Sequence, residues 1–229
     1  MVPLVAGTRL ERRLSFPCDR LVPNVDPNAV TPIAVAWDGL AGANCVLKVA
    51  PDSRKLDLAA LDFAKTKVVL VTNLGELTLA FRPDKAPRHV ENFLKLCKAG
   101  FYDGTKFHRV VRNFMIQGGD PNSKNDDKPE TWGQGDPGYK IDAEFNDLKH
   151  LRGTLSMARS NDPNSAGSQF FLVHKDSAHL DGKYSAFGNL EKGADVLDAI
   201  ANVRCGGPQD STPLQPVVLL STVILPVKK

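Results

Sequence analysis

Arg109, Met115 and Gln117 are poor choices for a plain core strand. Each adds a long or polar group to two short apolar runs that flank a polar corner between Phe107 and Asp120. The pattern reads as strand, turn, strand. One hairpin then carries a charged hydrogen-bond donor, a soft apolar surface and an amide, the ingredients of a small pocket. On spacing alone, a pocket and a surface hairpin with a solvated arginine both remain open.

Other chemically able residues lead elsewhere. His174 and His179 are five positions apart, without a carboxylate or cysteine at ligand spacing, so no metal site is expected. Gly133-Gln134-Gly135-Asp136-Pro137-Gly138 fits GxGxxG, yet it neither follows a strand nor opens a helix, and Pro137 forbids a smooth helical start. A dinucleotide site is therefore rejected, and no cofactor is expected. Asp120–Glu130 is rich in oxygens but lacks the glycine and spacing of a calcium loop, so a solvated loop is expected. The 4 cysteines (Cys18, Cys45, Cys97, Cys205) are too scattered for a disulfide framework, and none form a Cys-x-x-Cys pair.

The chain has 229 residues, enough to bury a core, with 42% apolar and 24% charged residues. A net charge of +3 without long basic runs leaves no electrostatic footprint for nucleic acid. Arg9, Glu11, Arg12 and Arg13 interrupt any leader-like apolar run, and no apolar run reaches membrane-spanning length. The expectation is a cytoplasmic monomer with no membrane partner.

Positioning such a hairpin needs a scaffold, and the chain changes character near Lys65. Residues 1–64 hold six prolines (Pro3, Pro17, Pro23, Pro27, Pro32, Pro51) and read as an extension. A hairpin of Ile33–Trp37 with Cys45–Val49 is expected there, with Trp37 as a packing anchor. A short helix through Leu56, Ala59, Ala60 and Phe63 follows, N-capped by Asp52 or Ser53. Residues 65–229 form the main domain. Its predicted strands are Val68–Thr72, Glu76–Phe81, Lys106–Val111, Phe114–Gln117, Gly153–Ala158, Gln169–Val173, Ala186–Asn189 and Val217–Leu225. A helix opens at Pro87, with Val90, Phe93, Leu94 and Cys97 as its stripe and Gly100 just past its end. A second spans Ala194–Val203, with Val196, Ile200 and Val203 on one face. Many short strands and two helices predict a mainly β, antiparallel barrel.

Three sequence blocks in this domain carry a resemblance. Phe107-His108-Arg109 with Phe114-Met115-Ile116-Gln117-Gly118-Gly119-Asp120, then Gly167-Ser168-Gln169-Phe170-Phe171, then Leu180-Asp181-Gly182-Lys183-Tyr184-Ser185-Ala186-Phe187-Gly188 occur in this order. Residues about 68 to 226 thereby resemble the cyclophilin peptidyl-prolyl cis–trans isomerases, in their compact prokaryotic style. The resemblance implies a closed eight-stranded antiparallel barrel capped by two helices, with the site on its outer wall. It also implies rotation about Xaa-Pro bonds, with proline-containing peptides and folding proteins as partners. Arg109 would be the catalytic donor, steadied by Gln117. Phe114, Met115, Phe171 and Leu180 would hold the proline ring; Ala158, Arg159 and Ser160 would meet the residues before it; Gln169 would line the neighbouring groove. His108 is expected to face away. The alternatives are a proline-peptide binding module or chaperone-like scaffold with incidental turnover, and a docking task for the extension.

The chain departs from familiar members at three substrate-binding positions that the resemblance implies, His179, Tyr184 and Arg159. His179 stands where they commonly carry a tryptophan that binds cyclosporin, so weak cyclosporin binding is expected. Tyr184 stands where a histidine commonly lines the proline pocket, and Arg159 replaces an asparagine.

Overall fold

The computed structural model describes residues 56–228. The anticipated N-terminal hairpin, Trp37, Cys18, Cys45 and the cap candidates Asp52 and Ser53 lie outside the described residues.

β1 (Lys67–Thr72) and β2 (Gly75–Phe81) form a hairpin in which every second side chain is buried. Val68 and Leu70 lie beside Leu79 and Leu77 as cross-strand pairs and, with Phe81, turn to the core, as period-2 spacing requires. α1 (Pro87–Lys98) follows, with Pro87 in its first turn and buried Val90, Phe93, Leu94 and Cys97. Gly100, at φ 67°, takes the left-handed position past its end and donates to Cys97 O. Ala86 offers no side-chain cap. The Glu144 carboxylate substitutes, accepting from the backbone N–H groups of Arg88 and His89 at 3.1 and 3.0 Å.

The remaining elements are β3 (Arg109–Val111), β4 (Met115–Gly118), β5 (Thr154–Met157), β6 (Phe170–Val173), β7 (Ala186–Lys192), α2 (Ala194–Ala201), β8 (Cys205–Gly206), β9 (Thr212–Pro213) and β10 (Leu219–Leu225). Eight strands pair antiparallel in the order β10-β1-β2-β7-β5-β6-β4-β3, and β8 pairs with β9 separately. α1 packs on β7 and β10; α2 packs on β2, β3 and β4.

The expected closed barrel is instead a curled sheet without a continuous ring of ladders. The sheet curls, but its edge strands β3 and β10 share no ladder. The seam is irregular chain: Lys106 and Val218 form an isolated bridge, and Phe107 N donates to Val217 O at 2.9 Å. Lys106 cannot extend β3 because its backbone N–H donates to Ser123 Oγ and its ammonium to Ser123 O. The closure is therefore looser than a continuous eight-strand ring.

The helix expected through Leu56–Phe63 is a single 3₁₀ turn, Leu58–Ala60, capped by Asp57. It stops because Asp62 N donates to Val227 O and Leu61 bridges to Lys228, which draws the chain extended against the C-terminus. Leu61 is buried in the main core, with Leu56, Leu58 and Phe63 packed at its margin.

That core fills the sheet interior around Phe93, whose ring lies 5.1–5.8 Å from those of Tyr102, Phe170, Phe187 and Phe81. A smaller cluster of Met115, Phe171, Val173 and Leu180 lies apart from it. Alternation along β4 and β6 explains the separation. Ile116, Phe170 and Leu172 point into the main core, whereas Met115, Phe171 and Val173 point out of the sheet.

Candidate active site on the outer face of the sheet

Register places the chemistry. Arg109 is paired with Gln117, Gln117 with Phe171, and Phe171 with Ser156, so one row of residues crosses β3, β4, β6 and β5. A second row runs Val111, Met115, Val173. Residues opposite one another on neighbouring antiparallel strands hold their Cβ atoms about 4.5–5.5 Å apart. The rows therefore lay a cation and an amide beside an apolar floor made by Phe171 and Met115.

The floor is a depression of about 100 Å³ lined by Phe114, Met115, Phe171, Leu180 and the ring of Tyr184, with Arg109 and Gln117 on one side. Met115 and Phe171 are nearly fully buried, Arg109 half-buried. Arg109 Nη1 donates to Gln117 Oε1 at 3.4 Å, a long bond that leaves the guanidinium available. Gln117 Nε2 donates to Gln169 Oε1 at 3.0 Å, and Gln169 Nε2 donates to the carbonyls of Gly133 and Gly135 at 3.0 and 2.9 Å. The relay fixes which way each amide points and so presents an oxygen to Arg109.

A second, larger groove of about 250 Å³ adjoins the depression. Gln117, Ala158 and Arg159 belong to both. Ser160 and Gln169 line the larger groove, and so do Gly133, Gly135 and Asp136 of the GxGxxG look-alike. No helix follows that stretch.

Arg159 and Tyr184 form one unit. The guanidinium stacks over the Tyr184 ring at 4.6 Å and lies 5.7 Å from Phe145. Tyr184 in turn meets Phe171 edge-on at 5.7 Å. His179 is exposed on the rim, its ring 5.4 Å from Phe114, and does not line the depression. His108 faces away from the depression and is buried against Gly133, with neither ring nitrogen hydrogen-bonded among the described residues. Burial lowers its pKa, against the pull of the neighbouring Asp120 charge. Asp120 is itself fully buried rather than solvated, accepting from Asn122 N and Gly133 N.

Sequence reasoning missed His150. Its ring stacks behind Phe171 at 6.0 Å and an interplanar angle of 18°, and its nitrogens meet Asp181 Oδ1 at 3.2 Å and Ser156 Oγ at 3.0 Å. Burial lowers its pKa, opposed by Asp181. His174 ties the hairpin tip. Its Nδ1 accepts from Asn113 N, its Nε2 meets Asp198 of α2, and its backbone N–H donates to Phe114 O at 2.8 Å. Asn113, at φ 61°, makes that sharp turn.

Gly119 turns the chain out of β4 at φ 83°, and a Cβ there would lie 2.5 Å from Ser168 O. Gly119→Ala is expected to lose about 2–3 kcal/mol of stability from backbone strain and collision, read by urea unfolding. An unchanged unfolding midpoint would contradict the constraint.

A curled antiparallel sheet thus carries on its outer face a small apolar depression with a guanidinium and an amide at its side. Residues 67–224 match the family described as cyclophilin type peptidyl-prolyl cis-trans isomerase/CLD, and the chain belongs to that family. A peptidyl-prolyl cis-trans isomerase of Synechococcus elongatus is 45% identical over 141 residues, covering 62% of this chain and 90% of that one. Peptidyl-prolyl cis-trans isomerase CYP18-1 of Arabidopsis thaliana is also 45% identical over 141 residues, covering 61% and 84%. The crystal structure of a Cryptosporidium parvum cyclophilin type isomerase in the presence of the dipeptide Ala-Pro superposes with a TM-score of 0.61 at 34% identity, covering 69% of this chain and 98% of that one. Among the described residues no helix is long and apolar enough to cross a membrane, and no group of His, Cys, Asp and Glu could hold a metal ion.

Proposed function

We propose that this protein catalyses cis–trans rotation about Xaa-Pro bonds by seating the proline ring in the outer-face depression and aiming Arg109 at the proline nitrogen. The observation that carries this reading is the row Arg109–Gln117–Phe171, which sets a guanidinium beside a small apolar floor. Resonance holds the ground-state amide planar behind a barrier of about 18–20 kcal/mol. In the twisted transition state conjugation is lost, and the nitrogen lone pair becomes an acceptor. A donor that meets this lone pair binds the transition state more strongly than the substrate. An acceleration of about 10⁴- to 10⁶-fold needs only about 5–8 kcal/mol, and the step forms no covalent bond.

Phe114, Met115, Phe171, Leu180 and Tyr184 hold the ring and exclude water, while the chain before proline passes Ala158, Arg159 and Ser160. Gln117 acts with Arg109: its oxygen orients the guanidinium and its amide remains anchored by Gln169. The Cryptosporidium relative was crystallised in the presence of an Ala-Pro dipeptide, in keeping with a proline-containing ligand. The test is exchange NMR of a short Ala-Pro peptide at catalytic protein concentration. Line broadening or exchange peaks absent from the free peptide support the reading; tight peptide binding without faster exchange would turn it to a binding module.

Cyclosporin is expected to bind weakly. His179 supplies neither the area nor the indole donor of the tryptophan common at this position in the family resembled. His179→Trp is expected to tighten binding by roughly tenfold in a fluorescence titration, about 1.4 kcal/mol. Nanomolar affinity of the unaltered protein would overturn this.

A further inference from the structure

Arg159 stands on the saddle between the two depressions, since it lines both. Its guanidinium makes four hydrogen bonds, all to backbone carbonyls: Lys183 O from Nε and Nη2 at 3.2 and 2.9 Å, and Ser160 O and Asn161 O from Nη1 at 2.8 and 3.4 Å. Carbonyls and the stacked Tyr184 ring fix the group in place but cancel no charge. No carboxylate pairs with Arg159 or Arg109 among the described residues. The acids of the flanking loops make their contacts with other groups, and none of those contacts is an ion pair with Arg159. Asp136 accepts from Gly138 N and faces Lys140 at 3.9 Å, Asp162 accepts from Asn164 N, and Asp181 is shared by Lys149 and His150. A peptide whose proline sits in the smaller depression must send its preceding residues across this cation, which has no ion-pair partner among the described residues.

We propose that Arg159 is a specificity-determining residue that makes the site favour substrates with a carboxylate on one of the two residues preceding proline. The proposal rests on the seating of proline described above. A half-exposed charge pair some 6–8 Å apart is worth about a three- to fivefold preference at low salt, weakening as salt screens it. Because the guanidinium is already fixed by protein carbonyls, little further side-chain ordering is needed when substrate binds.

The experiment compares kcat/KM by exchange NMR for peptides identical except for Glu, Ala or Lys at these positions. It is run at 20 and 300 mM salt with wild type, Arg159→Gln and Arg159→Lys. The readout is the Glu-to-Ala ratio within each protein, so changes in overall activity cancel. Wild type should prefer Glu over Ala by about three- to fivefold and disfavour Lys by about as much, with both effects shrinking at high salt. Arg159→Gln should bring the Glu-to-Ala ratio below about twofold, any residue belonging to Arg109, while Arg159→Lys should keep most of it. A wild-type ratio near one, or a ratio unchanged in Arg159→Gln, overturns the proposal. Absence of turnover with every peptide would instead overturn the isomerase reading; the same ratio is then read from peptide affinities by NMR titration, with the same outcomes deciding.

Discussion

Replacing Arg109 with alanine should lower kcat/KM for an Ala-Pro peptide about 10²- to 10³-fold while leaving the protein folded. A preorganised charged donor that meets developing electron density only in the transition state is worth about 3–4 kcal/mol, which converts to that factor. The side chain sits half-buried on the outer face of β3 and makes one long hydrogen bond to Gln117, so little packing is lost with it. Urea unfolding should shift by less than about 1 kcal/mol, the range of a single exposed polar contact. kcat and kcat/KM should fall together, because the lost contact is absent from the ground-state complex. Arg109→Lys should recover only part of the rate, since an ammonium is a single point on a flexible stem and cannot hold Gln117 and the proline nitrogen with one planar fork. Turnover of Arg109→Ala within threefold of wild type would remove Arg109 from the mechanism.

The sequence exposed whatever was local. Alternation in β1 and β2, Pro87 and Gly100 at the ends of α1, and its apolar stripe each follow from neighbours a few residues apart. β6 was harder, because Phe170-Phe171-Leu172-Val173 is buried on both faces and shows no alternation. The resemblance alone singled out Phe171, and the structure separates the two rings, Phe170 in the main core and Phe171 in the outer cluster. Features set by distant partners were not legible. Glu144 caps α1 from across the chain, Val227 and Lys228 draw Asp62 and Leu61 out of the expected helix, and the seam at Lys106 depends on Ser123. The same holds in the site. Most residues carried over from the resemblance gather around the two depressions, with His179 on the rim. His150, at the end of a polar stretch with no periodicity, offered no signal, although its ring backs Phe171.

Acid should unfold this protein at a milder pH than its exposed carboxylates require. His89, His108 and His150 are 0, 6 and 1% exposed, and burial holds the pKa of each below the usual histidine value. Glu144 pulls against burial at His89, Asp120 at His108 and Asp181 at His150, while Arg109 and His179 add to the depression at His108 and His150 respectively. The unfolded chain therefore takes up protons at these sites before the folded one does. A depressed histidine contributes stability that is fully present above its unfolded pKa near 6.5 and is lost as pH falls toward its folded pKa. While all three remain neutral in the fold, stability should fall by up to about 4 kcal/mol per pH unit below 6.5, against a total of about 5–15 kcal/mol. Asp84, Asp147 and Asp198, whose pKa values are lowered by partners, have side chains at least half exposed and act only in a more acidic window. Urea unfolding at pH 7.5, 6.0 and 5.0 measures the slope. His108→Phe isolates one contributor, because that ring has no hydrogen bond to lose among the described residues. The variant should match wild type within about 1 kcal/mol at pH 7.5, exceed it at pH 5.0, and reduce the slope by about one proton's worth, 1.4 kcal/mol per pH unit. A flat stability between pH 7.5 and 5.0 would mean that these histidines are charged in the folded protein, with Glu144, Asp120 and Asp181 overcoming burial.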